Sequence, residues 1–180
     1  MRAASEAFAA RGYCGVNLTD VVEGLGYTKG ALYFYFPTKE AVAAEIVDRY
    51  FAAFAALGNE VQKAPTTRLE ALVALSRRAA DLQRSDPVWR AGARLVGERN
   101  LIDAELPEPF GEWMERAGTL LRAAKRQKEL RPEVDPRQVA QMVVSFFQGA
   151  HFVSEHIGGR QDARQQLDHF WTLVLPGITA

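Results

Sequence analysis

The sequence predicts an all-α fold, and three observations carry that prediction. Apolar residues recur at three- and four-residue steps, as in Val42, Ile46, Ala53, Phe54 and Leu57, the spacing of one buried helix face. No run of four to eight residues alternates apolar with polar in β-branched company, so no strand is expected. Helix starts and stops recur along the chain, with Asn, Thr or Asp before several apolar runs and Gly or Pro after several.

The elements follow in order. A first helix runs to about Arg11 and stops at Gly12. Met1 to Phe8 reads as the middle of a helix with no cap before it, so part of the natural N-terminus, and a basic arm with it, is expected to be missing. Asn17 caps a second helix, with Asp20 three residues on in a capping-box-like pair. That helix closes at Gly24 to Gly26. Thr28 caps a third helix of about two turns, which Pro37 ends because proline disfavours helical geometry in the residue before it. Thr38 caps a long fourth helix that ends near Gly58-Asn59 or a little beyond.

Pro65-Thr66-Thr67 opens the next helix, with Leu69, Leu72, Val73, Leu75, Ala79 and Leu82. Ser85-Asp86-Pro87 ends it and starts another, with proline near the first helical position. Residues 100–109, with Pro107 and Pro109, are expected to form a loop. Trp113, Leu120 and Leu121 mark a seventh helix. Pro132 and Pro136 bracket a turn, and Asp135 caps an eighth helix over about 136–157, the most apolar of all. Gly158-Gly159 breaks it. A last helix carries Leu167, Phe170, Trp171, Val174 and Leu175. The expected domain boundary lies at about residue 50, giving 1–50 and 51–180.

Composition narrows the functions. In 180 residues, 48% hydrophobic content supports a packed core,. The single cysteine, Cys14, rules out a disulfide framework within the chain and suits a reducing cytoplasm,. No apolar stretch approaches the ~18–20 residues of a spanning helix. Net charge is zero, so any basic field is local. Four bases (Arg2, Arg11, Lys29, Lys39) balance four acids (Glu6, Asp20, Glu23, Glu40) in the first forty residues. The basic excess falls at 28–39.

That stretch, Thr28-Lys29-Gly30-Ala31-Leu32-Tyr33-Phe34-Tyr35-Phe36-Pro37-Thr38-Lys39-Glu40, is the most informative. Helix, tight turn, helix is the geometry that lays one helix in the DNA major groove. Thr28 caps its helix, so backbone N–H groups there point outward toward phosphate or a base edge. Lys29 projects from that end. Gly30 lets the backbone come close. Tyr33 and Tyr35 carry phenols that can donate to phosphate. Lys39 sits at a helix start, where its charge opposes the macrodipole and a bound phosphate would relieve the mismatch. Leu32, Phe34 and Phe36 are expected in the core.

The first fifty residues resemble the DNA-binding domain of TetR-family repressors. The matching residues are Ala7-Phe8, Gly12-Tyr13, Leu18 to Val22, Gly26 to Gly30, Leu32 to Phe36 and Lys39-Glu40. The resemblance implies a homodimer on operator DNA, contacting it through Thr28, Lys29, Gly30, Tyr33, Tyr35 and Lys39. Further on, Asp86 to Leu95 and Pro107 to Trp113 look like the γ-butyrolactone and butenolide receptors of actinobacteria. This second resemblance implies an inducer pocket with Trp113 on its wall, released DNA on lactone binding, and a tilt of the helix capped by Thr38. Trp89, Phe110, Val144, Phe147 and Gln148 are candidate neighbours in an apolar site with few polar groups. Gln148 stands where the resemblance leads one to expect a small hydroxyl residue. Trp171 is expected in the core or a dimer face, and the eighth and last helices carry the dimer.

No catalytic role is expected, because no nucleophile elbow, phosphate loop or dinucleotide fingerprint occurs. No metal or cofactor is expected either. His151 and His156 are five apart, which turns them well away from each other on a helix, and His169 and Cys14 add no ligand pattern. Arg122, Lys125, Arg126 and Lys128 read as a solvated face. The alternatives are a TetR-like regulator of efflux or catabolism with another apolar ligand, a helical ligand-binding protein without DNA function, and a small helical enzyme.

Overall fold

The computed structural model describes residues 1–19, 34–156 and 162–180. Among them are seven α-helices and one short 3-10 turn: α1 (Arg2–Arg11), α2 (Lys39–Lys63), α3 (Arg68–Ser85), α4 (Pro87–Gly97), the turn Arg99–Leu101, α5 (Pro109–Arg126), α6 (Pro136–His156) and α7 (Asp162–Ile178). The expected helix ends hold to within a few residues. The break at Gly158-Gly159 and most of the helices expected at 17–26 and 28–36 lie outside the described residues.

Local chemistry sets the starts. The Asn17 side chain accepts from Thr19 N–H at 3.0 Å, opening a helical turn. Thr38 Oγ1 accepts from Ala41 N–H at 3.1 Å at the head of α2. Thr67 and Glu70 form a reciprocal capping box before α3,. Asp86 accepts from Val88 and Trp89 N–H before α4. Asp135 accepts from Arg137 N–H before α6. At the other end of α1, Gly12 adopts φ 70° and ψ −178° and returns its N–H to Phe8 C=O, a positive-φ stop that glycine makes without steric cost.

The chain divides into two compact units, Met1–Ala55 with Ser85–Pro107, and Ala56–Arg84 with Glu108–Ala180. This differs from a single cut at residue 50, because the chain returns to the first unit. In that unit α1 packs on α4. The buried face of α2, Val42, Ala43, Ile46, Val47 and Tyr50, joins Phe8, Trp89, Ala91 and Leu95 in its core. Trp89 meets Tyr50 edge-on at 5.0 Å between ring centroids. Gly92 permits the approach, since a Cβ there would lie 2.3 Å from Tyr50 Cβ. Burial of the Tyr50 phenol pushes its pKa up,.

The second unit packs α5 on α6 and α6 on α7. Its core includes Leu72, Leu75, Ala117, Leu120, Leu121, Val139, Val143, Leu167 and Trp171. Trp171 is a core residue: its Nε1–H donates to Ser76 Oγ at 2.9 Å, and that hydroxyl donates to Val73 C=O at 2.8 Å. The segment after α5 laces to the end of α7. Arg131 N–H donates to Ile178 C=O and Ala180 N–H to Glu129 C=O, both at 3.0 Å. Arg131 also donates to the carbonyls of Thr179 and Pro176.

Candidate functional site

Of the six residues assigned to DNA, Thr28, Lys29, Gly30 and Tyr33 lie outside the described residues. Tyr35 and Lys39 are described. Tyr35 is 74% exposed and stands edge-on to Phe34 at 5.2 Å. Phe34 corrects an expectation: it is 82% exposed rather than core. Residues 34 and 35 are helical, and neighbours on a helix are only ~100° apart, so one broad face carries both. Phe36, just past the helical turn, is half-buried.

Lys39 begins α2, and its Nζ lies 4.3 Å from the centroid of the Tyr13 ring, within cation–π range. Tyr13 is buried and stacks against Phe8. Its hydroxyl donates to Glu40 Oε1. Burial first, and the Glu40 carboxylate second, push the phenol up. The same hydrogen bond holds the Glu40 carboxyl below its usual range,. The backbone N–H of Tyr13 donates to Glu98 Oε2. Glu98 Oε1 accepts from Arg94 Nε at 2.9 Å, and Arg94 Nη1 donates to the Ala9 and Ala10 carbonyls at 3.1 and 3.2 Å. Sequence reading missed this corner, because its partners lie 27 and 85 residues apart.

The ligand candidates divide between the units. Trp89 belongs to the first, buried against Tyr50 and Phe54. Its Nε1–H is buried with no hydrogen-bond partner among the described residues. Phe110, Trp113, Val144, Phe147 and Gln148 belong to the second. Trp113 is buried, and Phe110, 46% exposed, meets it edge-on at 5.7 Å. Val144, Phe147 and Gln148 share one face of α6, three and four residues apart. Val144 is buried and the other two half-buried. Phe147 lines a void of about 10 Å³ with Gln83, Ala150, His151 and Leu167, room for one water at most. A broader groove of about 700 Å³ runs between α3, α7 and Lys128-Glu129. None of the six ligand candidates lines it. Among the described residues, no group of His, Cys, Asp and Glu could hold a metal.

The helix order agrees with what comparison finds. Residues 1–46 match the model for bacterial regulatory proteins of the tetR family. Residues 66–180 match the model for the tetracyclin repressor-like C-terminal domain. The chain belongs to the TetR family. It is 32% identical to the A-factor receptor protein of Streptomyces griseus, over 98% of this chain and 61% of that one, so it spans less than two thirds of that relative's length. A solved structure on the molecular basis for control of antibiotic production by bacterial hormones is 40% identical. The match has a TM-score of 0.91 and covers 99% of this chain and 95% of that one. A γ-butyrolactone receptor described as ArpA-like is 32% identical, with a TM-score of 0.86 over 99% of this chain and 85% of that one. The matched families and relatives are regulators rather than enzymes. No described helix is long and apolar enough to cross a membrane.

Proposed function

We propose that this TetR-family chain is a transcriptional repressor that binds operator DNA as a homodimer and leaves it when a small lactone binds. The inducer is a γ-butyrolactone or a butenolide, and the place of action is the cytoplasm. The observation that carries the reading is the likeness, over nearly the whole chain, to an A-factor receptor and a γ-butyrolactone receptor. DNA contacts are assigned to Thr28, Lys29, Gly30, Tyr33, Tyr35 and Lys39. The exposure of Tyr35 and the placement of Lys39 at the head of α2 support their share of it. Inducer contacts are assigned to Trp113 with Phe110, Val144, Phe147 and Gln148. Trp89 is kept on separate grounds: its buried, unpartnered indole N–H is a donor that a lactone carbonyl would satisfy,. The ligand acts only if it prefers the DNA-free state, since equal affinity for both states shifts nothing. Release follows when the two recognition helices no longer match major grooves roughly 34 Å apart or a multiple of that.

The test is operator binding with and without a γ-butyrolactone or butenolide, for the wild type and for Trp113→Ala. The duplex comes from the regulator's own promoter region. The wild type should release it on adding lactone. The folded Trp113→Ala variant should bind DNA as the wild type does and need at least tenfold more lactone for release. Release at the wild-type concentration would return Trp113 to the ordinary core. A wild type that binds DNA yet ignores every lactone favours the second reading, a regulator with another apolar ligand. Gln148, in place of a small hydroxyl residue, gives that reading its one supporting observation.

A further inference from the structure

The corner built around Tyr13 joins three elements within the first unit. A lysine in the first turn of a helix is badly served by its own backbone, because the positive end of the macrodipole repels it. Its side chain also loses rotamer freedom when it is held in one place. The Tyr13 ring supplies a surface for the Lys39 ammonium at 4.3 Å and occupies none of its N–H donors in a conventional hydrogen bond. The ring cannot turn away freely. It is buried against Phe8, and its hydroxyl is engaged by Glu40.

The backbone of Tyr13 is held in turn by the last turn of α4. Glu98 accepts the Tyr13 N–H with one oxygen and Arg94 Nε with the other. Arg94 closes the loop on the Ala9 and Ala10 carbonyls at the end of α1, which have no partner within their own helix. Gly12 leaves room for this. A Cβ at Gly12 would stand 2.5 Å from Glu98 Oε1 and 2.8 Å from an Arg94 guanidinium nitrogen.

We propose that Tyr13 is a positioning residue that holds the Lys39 ammonium ready for a DNA phosphate, and that Glu98, through Tyr13, couples the end of α4 to that contact. This rests on the reading of Lys39 as a phosphate contact. A movement of the end of α4 that breaks the Glu98–Tyr13 bond therefore loosens the grip on DNA through Lys39.

Double-mutant cycles on the full-length protein test it. The probe is a fluorescein-labelled 30-base-pair duplex selected from a random library by the wild type, titrated at several salt concentrations. Lys39→Ala should weaken binding and flatten the salt dependence by about one unit. Tyr13→Leu should reproduce most of both effects, and should add less than twofold when Lys39 is already alanine. Tyr13→Phe keeps the ring and should keep the salt slope. Glu98→Ala, less exposed to a folding defect, should also flatten the slope and lose its effect in the Lys39→Ala background. If Tyr13→Leu and Glu98→Ala weaken binding equally in both backgrounds, their role is structural and the positioning proposal is overturned. If Lys39→Ala itself changes neither affinity nor slope, the phosphate reading fails instead, and the two failures are told apart.

Discussion

At the scale of single residues, Glu40 reports on the Tyr13 corner through its titration. The Tyr13 hydroxyl holds its carboxyl below the ordinary 4.5. A depressed folded pKa gives stability that is present in full above the unfolded value and is lost as pH falls through the folded one. Removing the hydroxyl with Tyr13→Phe should therefore raise the Glu40 midpoint toward 4.5, read by NMR of the carboxyl carbon. The variant's stability deficit should be complete at neutral pH and fade in acid. An unchanged Glu40 midpoint in Tyr13→Phe would mean that the bond does not form in solution. Lys39 and Tyr35 were legible as candidates because a short pattern of hydroxyl caps, aromatics and lysines announces them. The part played by Tyr13 was not. Its partners Glu40 and Glu98 come from distant stretches, and no local spacing records a tertiary hydrogen bond. Apolar character alone does not bury Phe34, which stands exposed beside Tyr35.

At the scale of elements, most helix starts were readable, since Asn17, Thr38, Asp86 and Asp135 carry their own acceptors. The start of α3 has a second support that no local pattern reveals. Glu129 accepts from Arg68 and Leu69 N–H at 3.0 and 2.9 Å across 61 and 60 residues, so one carboxylate from the segment after α5 caps a helix in another part of the unit. It satisfies two of the four N–H groups a helix start leaves open and meets the positive end of the dipole. Glu129→Ala should cost about 1–2 kcal/mol, seen in urea unfolding as a lower midpoint with an unchanged m-value. Glu129→Gln, which keeps one amide oxygen, should cost less. A midpoint within error of the wild type for both variants would show that water replaces the carboxylate without loss.

At the scale of the whole molecule, α6 and α7 leave apolar surface open to solvent. Met142, Phe152 and Val153 on α6 and Leu173 on α7 are exposed, Phe152 by 63% and Leu173 by 80%. Phe146 and Phe170, stacked at 4.2 Å, tie the two helices together. Surface of this kind marks an interface, and two such helices paired across a two-fold give a four-helix contact. Replacing Leu173 and Phe152 together by Asp should convert the proposed dimer into a monomer of 20.0 kDa by light scattering, and DNA affinity should fall with it. A wild type that is already monomeric at micromolar concentration would end the dimer proposal. The return of residues 85–107 to the first unit has a consequence for recombination. Swapping halves between relatives is the usual way to pair one regulator's operator with another's inducer. A crossover at residue 50 would graft Tyr50 and its neighbours onto a foreign partner for the niche that Gly92 leaves and for the Trp89 ring. A hybrid that carries 1–55 and 85–107 from the same parent keeps that packing whole, although its donor sequence is no longer one uninterrupted stretch.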